Sequence, residues 1–244
     1  MILSYNNYTD IGNRDTNEDS VAFIEKSGSY CFVLCDGLGG HGKGELASRF
    51  VCDSICRCFE GSTSIDSFFD TALERSQEAL LNEQKKLNAP FEMKTTAVVL
   101  VLWEDMFRYA YIGDSRLYHF RKNKVRFRTL DHSVPQMLAL AGDISEKQIR
   151  THPDRNRLLR VMGVKWDAPR YEVSDVMSLK SKDAFLLCSD GFWEQIIEKD
   201  MCKLLKKSSD AGKWIESMSA VVKENGKTRD MDNNSAIVIM VEEI

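Results

Sequence analysis

What the chain lacks narrows its class before any motif is read. No apolar segment approaches the roughly 20 residues that a membrane-spanning helix needs, so no membrane partner is expected. The start, Met1-Ile2-Leu3-Ser4-Tyr5-Asn6-Asn7, has no basic region, apolar stretch or small-residue cleavage site of a secretory leader. A cytoplasmic location is the expectation. Positive charge is not in excess: the formal net charge is −4, and no Lys/Arg stripe is interleaved with aromatics, so no nucleic acid partner is expected. The densest basic stretch, 121–128, reads as a hairpin with a Lys-Asn-Lys turn and a solvated face. Histidine is scarce, with four residues and no two spaced to share zinc or iron. The seven cysteines are an odd number without the spacing of a disulfide framework. Cys52, Cys56 and Cys58 read as small apolar members of an amphipathic helix, because no matching Cys/His pair stands elsewhere to complete a zinc site. No repeat or Pro/Gly/Ser linker divides the chain, and a single domain over 1–244, acting as a monomer, is expected.

What is present is an ordinary globular composition, 43% hydrophobic and 29% charged over 244 residues, enough for a sizeable core. Strand patterns cover 21–24, 30–35, 95–103, 106–112, 116–121, 124–130, 171–177, 184–188 and 235–241. Short turns between neighbours, as at 104–105 and 123, favour antiparallel hairpins. Helical periodicity runs over 45–59, with Leu46, Ala47, Phe50, Val51 and Ile55 on one face. It resumes over 65–87, with Ile65, Phe68, Phe69, Ala72, Leu73, Ala79, Leu80 and Leu87. A second helix pair is expected at 198–205 and 211–224. The class is α+β, antiparallel sheet covered by helices. The segment 133–169 differs: it has short helical pieces, Gly142 as a helix stop, and the polar run His152-Pro153-Asp154-Arg155-Asn156-Arg157, a pattern of a lid or binding loop.

One small unit occurs twice. Tyr30-Cys31-Phe32-Val33-Leu34-Cys35-Asp36-Gly37 and Ala184-Phe185-Leu186-Leu187-Cys188-Ser189-Asp190-Gly191 each read as a buried strand delivering a carboxylate to its end, with glycine allowing a sharp exit. Asp114 and Asp232 sit at similar strand edges. Four converging carboxylates repel one another unless a cation sits between them, and all-oxygen ligands select Mg²⁺ or Mn²⁺. In the stretch 12–20, Arg14 stands near the acidic pair Glu18-Asp19; its planar fork matches phosphate oxygens while acids orient water.

Seven motifs stand in one order: Gly12-x-Arg14-x-x-Asn17-Glu18-Asp19, Asp36-Gly37-Leu38-Gly39-Gly40-His41, Thr95-Thr96, Gly113-Asp114-Ser115-Arg116, Asp131-His132-Ser133, Ser189-Asp190-Gly191-Phe192-Trp193 and Asp232-Asn233-Asn234-Ser235. In this order the chain resembles the metal-dependent protein phosphatases of type 2C (PPM), compact bacterial members above all. The resemblance implies a four-layer sandwich, two antiparallel sheets flanked by helix pairs, with metals at one end. It implies that Asp36 bridges two Mg²⁺ or Mn²⁺ ions, that the Gly37 carbonyl completes the second, and that Asp190 and Asp232 hold the first. Glu18 and Asp19 act mostly through metal-bound waters, Arg14 binds the substrate phosphate, and Asp114 with Asp190 matches the place of a third, weaker ion. The implied reaction is hydrolysis of phosphoserine and phosphothreonine in proteins, substrates of a cognate kinase, by in-line attack of a water bridging two metals.

Two alternatives are weighed against this. A catalytically silent relative that binds phosphoproteins is expected to have lost Asp36, Asp190 or Asp232, and all three stand. A two-metal nuclease or small-molecule phosphoesterase is disfavoured by the negative charge and the full motif order. Leu38 stands where many eukaryotic relatives carry a histidine acid, so a metal-bound water is expected to protonate the leaving group, with His41 or His152 as the less favoured donors. Cys35 and Cys188 resemble phosphatase nucleophiles and are read as core residues. Arg155 and Arg157, within the part of this insertion (142–167) that matches the relatives' flap, either meet acidic or phosphorylated surfaces or pin the flap to the body.

Overall fold

The computed structural model describes residues 1–39, 43–89 and 92–244. In chain order the elements are β1 (Ile2–Asp10), β2 (Asp19–Lys26), β3 (Ser29–Leu38), α1 (Gly44–Glu60), α2 (Ile65–Lys86), β4 (Lys94–Thr95), β5 (Ala97–Trp103), β6 (Met106–Ile112), β7 (Arg116–Arg121) and β8 (Lys124–Arg128). They continue with α3 (Val134–Ala141), α4 (Glu146–Ile149), β9 (Glu172–Val173), β10 (Met177–Ser178), β11 (Asp183–Cys188), α5 (Asp190–Trp193), α6 (Glu198–Lys207), α7 (Ala211–Gly226) and β12 (Asn234–Glu243). One sheet has the order β1-β12-β11-β7-β8 and the other β10-β6-β5-β3-β2, with β4 on β3 and β9 on β6. All pairings are antiparallel.

The layering follows from the two-residue period of β3. Phe32 and Leu34 point inward, where they meet Phe185, Leu187, Ile237 and Ile239 of the facing sheet. Cys31, Val33 and Cys35 point the other way, onto Val51, Ile55 and Phe59 of α1 and Phe69 and Leu73 of α2. The second sheet turns Tyr118, Phe120, Leu186 and Val238 outward to Trp214, Met218 and Val222 of α7 and Met201 and Leu205 of α6. The result is the expected helix pair, sheet, sheet, helix pair.

Several details differ from the sequence expectations. β1 was not expected: Asn6-Asn7 and half-buried positions hide its alternation, and its pairing with β12 makes it a strand. The single strand expected at 171–177 is two two-residue strands, β9 and β10, each existing only as a partner of β6. Leu46 is 43% exposed and Leu87 45%: the buried stripe of α1 runs through Ala47, Val51, Cys52, Ile55 and Phe59 at helical spacing, and Leu87 lies past the last turn of α2. Cys52 is buried while Cys56 and Cys58 pack against the same core, as small apolar residues do. The basic hairpin turns at Lys122-Asn123, both with positive φ, as a two-residue turn between right-twisted strands requires. Gly142 ends α3 in the left-handed conformation with φ +85°. Among the described residues no helix is long and apolar enough to cross a membrane.

Candidate metal and phosphate site

An open cleft of about 850 Å³ lies where Asp36, the β6–β7 turn, the start of α5, the residues before β12 and the loop 11–18 meet. Seven of the eight expected site residues line it: Arg14, Glu18, Asp36, Gly37, Asp114, Asp190 and Asp232. The eighth, Asp19, is buried on β2 directly across the ladder from Asp36. Its Oδ2 accepts the Ser189 hydroxyl at 2.8 Å, and its Oδ1 is a buried oxygen with no partner among the described residues. The sequence pictured Asp19 beside its neighbour Glu18, both working through water; here a serine of the facing sheet holds one of its oxygens. Glu18 is cradled by glycine backbone: its Oε2 accepts the Gly39 N–H at 3.2 Å, and a Cβ on Gly39 would stand 2.2 Å from its Oε1.

The loop 11–18 is fixed to β12 by Asn233, which is buried. Its amide donates to the carbonyls of Ile11 (2.8 Å) and Thr16 (3.0 Å), and its Oδ1 accepts the Glu18 N–H at 2.8 Å. Gly12, at φ +62°, passes so close that a Cβ would meet the Asp232 carbonyl at 2.4 Å. This brings Arg14 to Asp232 in a bidentate pair, Nε–Oδ1 2.9 Å and Nη2–Oδ2 3.1 Å. Both side chains face the cleft and are partly exposed. Asn233 was quoted in the sequence only as part of a motif; the doubled Asn beside Asp232 was its one signal.

The carboxyls load the site electrostatically. Burial, then Asp19, Asp190 and Asp114, hold Asp36 well above the ordinary carboxylate range. Burial and Asp190 do the same to Asp114. Burial and Asp232 push Asp190 up to about 6, and burial pushes Asp19 up to about 7. Such mutual repulsion is relieved by a cation. The donor set, carboxylates plus the Gly37 carbonyl, is all oxygen and suits a hard divalent ion. An orphaned buried oxygen on Asp19 agrees with that fit. Among the described residues no three of these acids close on one point, and Asp232 is turned onto Arg14.

The surrounding acids and bases are structural. Arg116 and Asp131 form a buried bidentate pair at 2.8 and 2.6 Å, and the guanidinium stacks 3.4 Å from the Trp193 ring centroid. Trp193 donates its Nε1–H to the Asp114 carbonyl at 3.0 Å. His132 accepts the Gly113 N–H on Nδ1 at 3.1 Å, so its Nε2 carries the proton toward Glu172 at 3.2 Å. Cys35 and Cys188 are fully buried, and burial raises the Cys188 thiol well above its usual range, which fits packing and not nucleophilic attack.

Leu38, in the place of the relatives' histidine acid, lines the cleft, and of the two histidine candidates neither is seen there. The His152 Nδ1 accepts the Asp154 N–H in its own turn. His41 lies outside the described residues. The segment 133–169 supplies Asn156, Leu158 and Val161 to the cleft wall, and Met162 bonds reciprocally to Thr95 of β4 (2.9 and 3.3 Å). Its two arginines part company. Arg155 reaches Glu194, Nε–Oε1 2.9 Å, tying the segment to α5's end, whereas the Arg157 side chain, 68% exposed, pairs among the described residues with Asp154 of its own segment at 3.6 Å.

Two helix-flanked antiparallel sheets with a carboxylate-lined cleft at the strand ends make this an α+β sandwich whose all-oxygen donor set suits a hard cation. A sequence model of the family described as protein phosphatase 2C matches residues 8–234. The serine/threonine phosphatase stp of Listeria welshimeri is 32% identical over 202 residues, 79% of each chain. The crystal structure of the serine/threonine phosphatase Stp1 from Staphylococcus aureus superposes with a TM-score of 0.89 at 28% identity, covering 100% of this chain and 96% of that one. The catalytic domain of the phosphatase PstP, solved in complex with two manganese ions, shares the fold at 23% identity, with a TM-score of 0.83 and coverage of 99% of each chain. This chain belongs to the protein phosphatase 2C family.

Proposed function

We propose that the chain is a Mg²⁺- or Mn²⁺-dependent protein phosphatase that hydrolyses phosphoserine and phosphothreonine. The observation that carries this reading is the convergence of Asp36, Asp114, Asp190 and Asp232 with Arg14 in one cleft. In this reading Asp36, the Gly37 carbonyl, Asp190 and Asp232 would hold two ions, with Gly37 on the second and Asp190 and Asp232 on the first, and Asp114 with Asp190 would take a third. Glu18, which accepts the Gly39 N–H, and Asp19, across the ladder from Asp36, would act mostly through metal-bound water. Bound divalent cations lower the pKa of water and neutralise phosphoryl charge. Arg14, which now faces Asp232 and Asp230, would turn its fork to two phosphate oxygens. Attack by water would need no phosphoenzyme, and the buried Cys35 and Cys188 would take no part.

One domain, 1–244, with 133–169 as the flap, acting as a monomer in the cytoplasm on the phosphoproteins of a cognate kinase, completes the reading. The purified chain with Mn²⁺ is expected to release phosphate from phosphothreonine and phosphoserine peptides. Tight peptide binding without turnover would favour the silent relative instead. Arg157, exposed and paired among the described residues only with Asp154 of its own segment, is proposed to meet acidic substrate surfaces, while Arg155 anchors the flap. Arg157→Glu is expected to raise KM for a phosphoprotein several-fold and leave para-nitrophenyl phosphate untouched. Equal effects on the two substrates would remove the docking role.

A further inference from the structure

The β3–β4–β5 ladder breaks its pattern at one residue. β3 pairs with β5 as Leu34↔Val98 and with β4 as Gly37↔Thr95, so Thr96, between the two short pieces, stands opposite Asp36. In a regular antiparallel pair the two residues would exchange two main-chain bonds. One is made: the Thr96 N–H donates to the Asp36 carbonyl at 2.8 Å. The other is replaced, because the Asp36 N–H donates to the Thr96 hydroxyl at 3.0 Å. Thr95 completes the exchange, with its hydroxyl 2.8 Å from the Asp36 carbonyl and 2.9 Å from the Thr96 carbonyl.

The same Thr96 hydroxyl lies 2.7 Å from the hydroxyl of Ser115, and both side chains are buried. Ser115 is the residue after Asp114. Thr96 also supports this second turn sterically: Gly113 is at φ +105°, and a Cβ there would stand 2.5 Å from the Thr96 Cγ2. One side chain thus touches both acid-bearing turns. Its hydroxyl bonds the Asp36 amide and Ser115, and its methyl packs on Gly113.

We propose that Thr96 is a positioning residue that sets Asp36 against Asp114 through its bond to Ser115. The proposal rests on the cation reading above. Two carboxylates that repel each other spread unless their backbones are fixed. A hydroxyl shared between a main-chain amide and a second turn fixes both at once. Valine keeps the shape of threonine and the contact with Gly113 but offers no acceptor to the buried Asp36 amide. Serine keeps the acceptor and loses only the methyl.

The test uses the full chain and the variants Thr96→Val, Thr96→Ser and Ser115→Ala, read by Mn²⁺ calorimetry and by amide hydrogen exchange without metal. In Thr96→Val the Asp36 amide is expected to exchange about tenfold faster or more, with the Leu34 amide unchanged, and the Mn²⁺ dissociation constant to rise about tenfold. The kcat for para-nitrophenyl phosphate falls by a similar factor while KM stays within about twofold. Thr96→Ser is expected to restore all of these. A folded Thr96→Val with the wild-type Mn²⁺ isotherm and Asp36 exchange rate overturns the proposal. Should that variant not fold, Ser115→Ala decides. It keeps the Asp36 amide bond but cuts the link to Asp114, and an unchanged isotherm there overturns the proposal too. A wild-type chain that binds no Mn²⁺ would instead sink the cation reading itself.

Discussion

Asp36→Asn is expected to lower kcat on the order of 10³-fold while making the metal-free protein more resistant to heat. The loss follows from position. Asp36 is proposed to hold both ions, and an amide oxygen without charge holds a divalent ion weakly. Several kcal/mol of charge stabilisation depend on that ion, and each 1.4 kcal/mol is about a tenfold rate effect. The gain in heat resistance follows from the sign of the Asp36 shift. Its folded-state value lies well above the ordinary carboxylate value, with burial the largest cause and Asp19, Asp190 and Asp114 next. A group raised in the folded state binds protons there more tightly than in the unfolded chain. The metal-free fold therefore loses stability as pH rises from the unfolded pKa, near 4, toward the folded value. Asparagine cannot ionise and removes that penalty. A thermal melt in EDTA at neutral pH should show a higher Tm for Asp36→Asn than for wild type, and steady-state kinetics with Mn²⁺ should show the loss of kcat. A variant that kept a tenth of wild-type kcat would deny Asp36 the bridging role.

Asp131→Ala is expected to cost about 3–5 kcal/mol of stability, because it strands the Arg116 guanidinium in the interior. The side chains are 3% and 1% exposed, so water cannot replace the lost partner. Arg116 retains Tyr118, whose hydroxyl accepts from its Nη1 at 3.0 Å, and the Trp193 face, but neither offers a countercharge. For a chain of this length the loss corresponds to a Tm drop of roughly 6–20 °C. Because Trp193 also holds the Asp114 carbonyl, activity should fall alongside stability. Asp131→Asn, which keeps acceptor geometry on one oxygen, should lose less. A Tm within 2 °C of wild type for Asp131→Ala would mean that the pair is not a determinant of the fold.

The strands that carry the site were legible because each is a short, fully apolar run ending in an acid. β3 and β11 announce themselves in this way, and the glycines after Asp36 and Asp190 mark where the chain turns. The alternation of Phe32 and Leu34 with Cys31, Val33 and Cys35 separates the two cores in the structure, yet in the sequence every one of these positions is apolar. Local pattern therefore gave the strand and not its faces. Contacts between distant segments were out of reach altogether. Arg14 and Asp232 are 218 residues apart, and Asp19 and Ser189 are 170 apart. Nothing in either neighbourhood announces its partner, so the sequence reading gave Arg14 a phosphate and missed its carboxylate. The Thr95-Thr96 pair was visible as a motif, but its work depends on a ladder bond that a hydroxyl replaces. β9 and β10 were blurred for a related reason, since a two-residue strand is defined by its partner.

The acids of the cleft are proposed to act by holding divalent cations that make the protein a phosphatase. The most direct test is the rate of para-nitrophenyl phosphate hydrolysis by the purified chain, first with Mn²⁺, then with excess EDTA, then with Mn²⁺ restored. The expected result is turnover that disappears with the chelator and returns with the ion. Turnover that survives chelation would contradict the account.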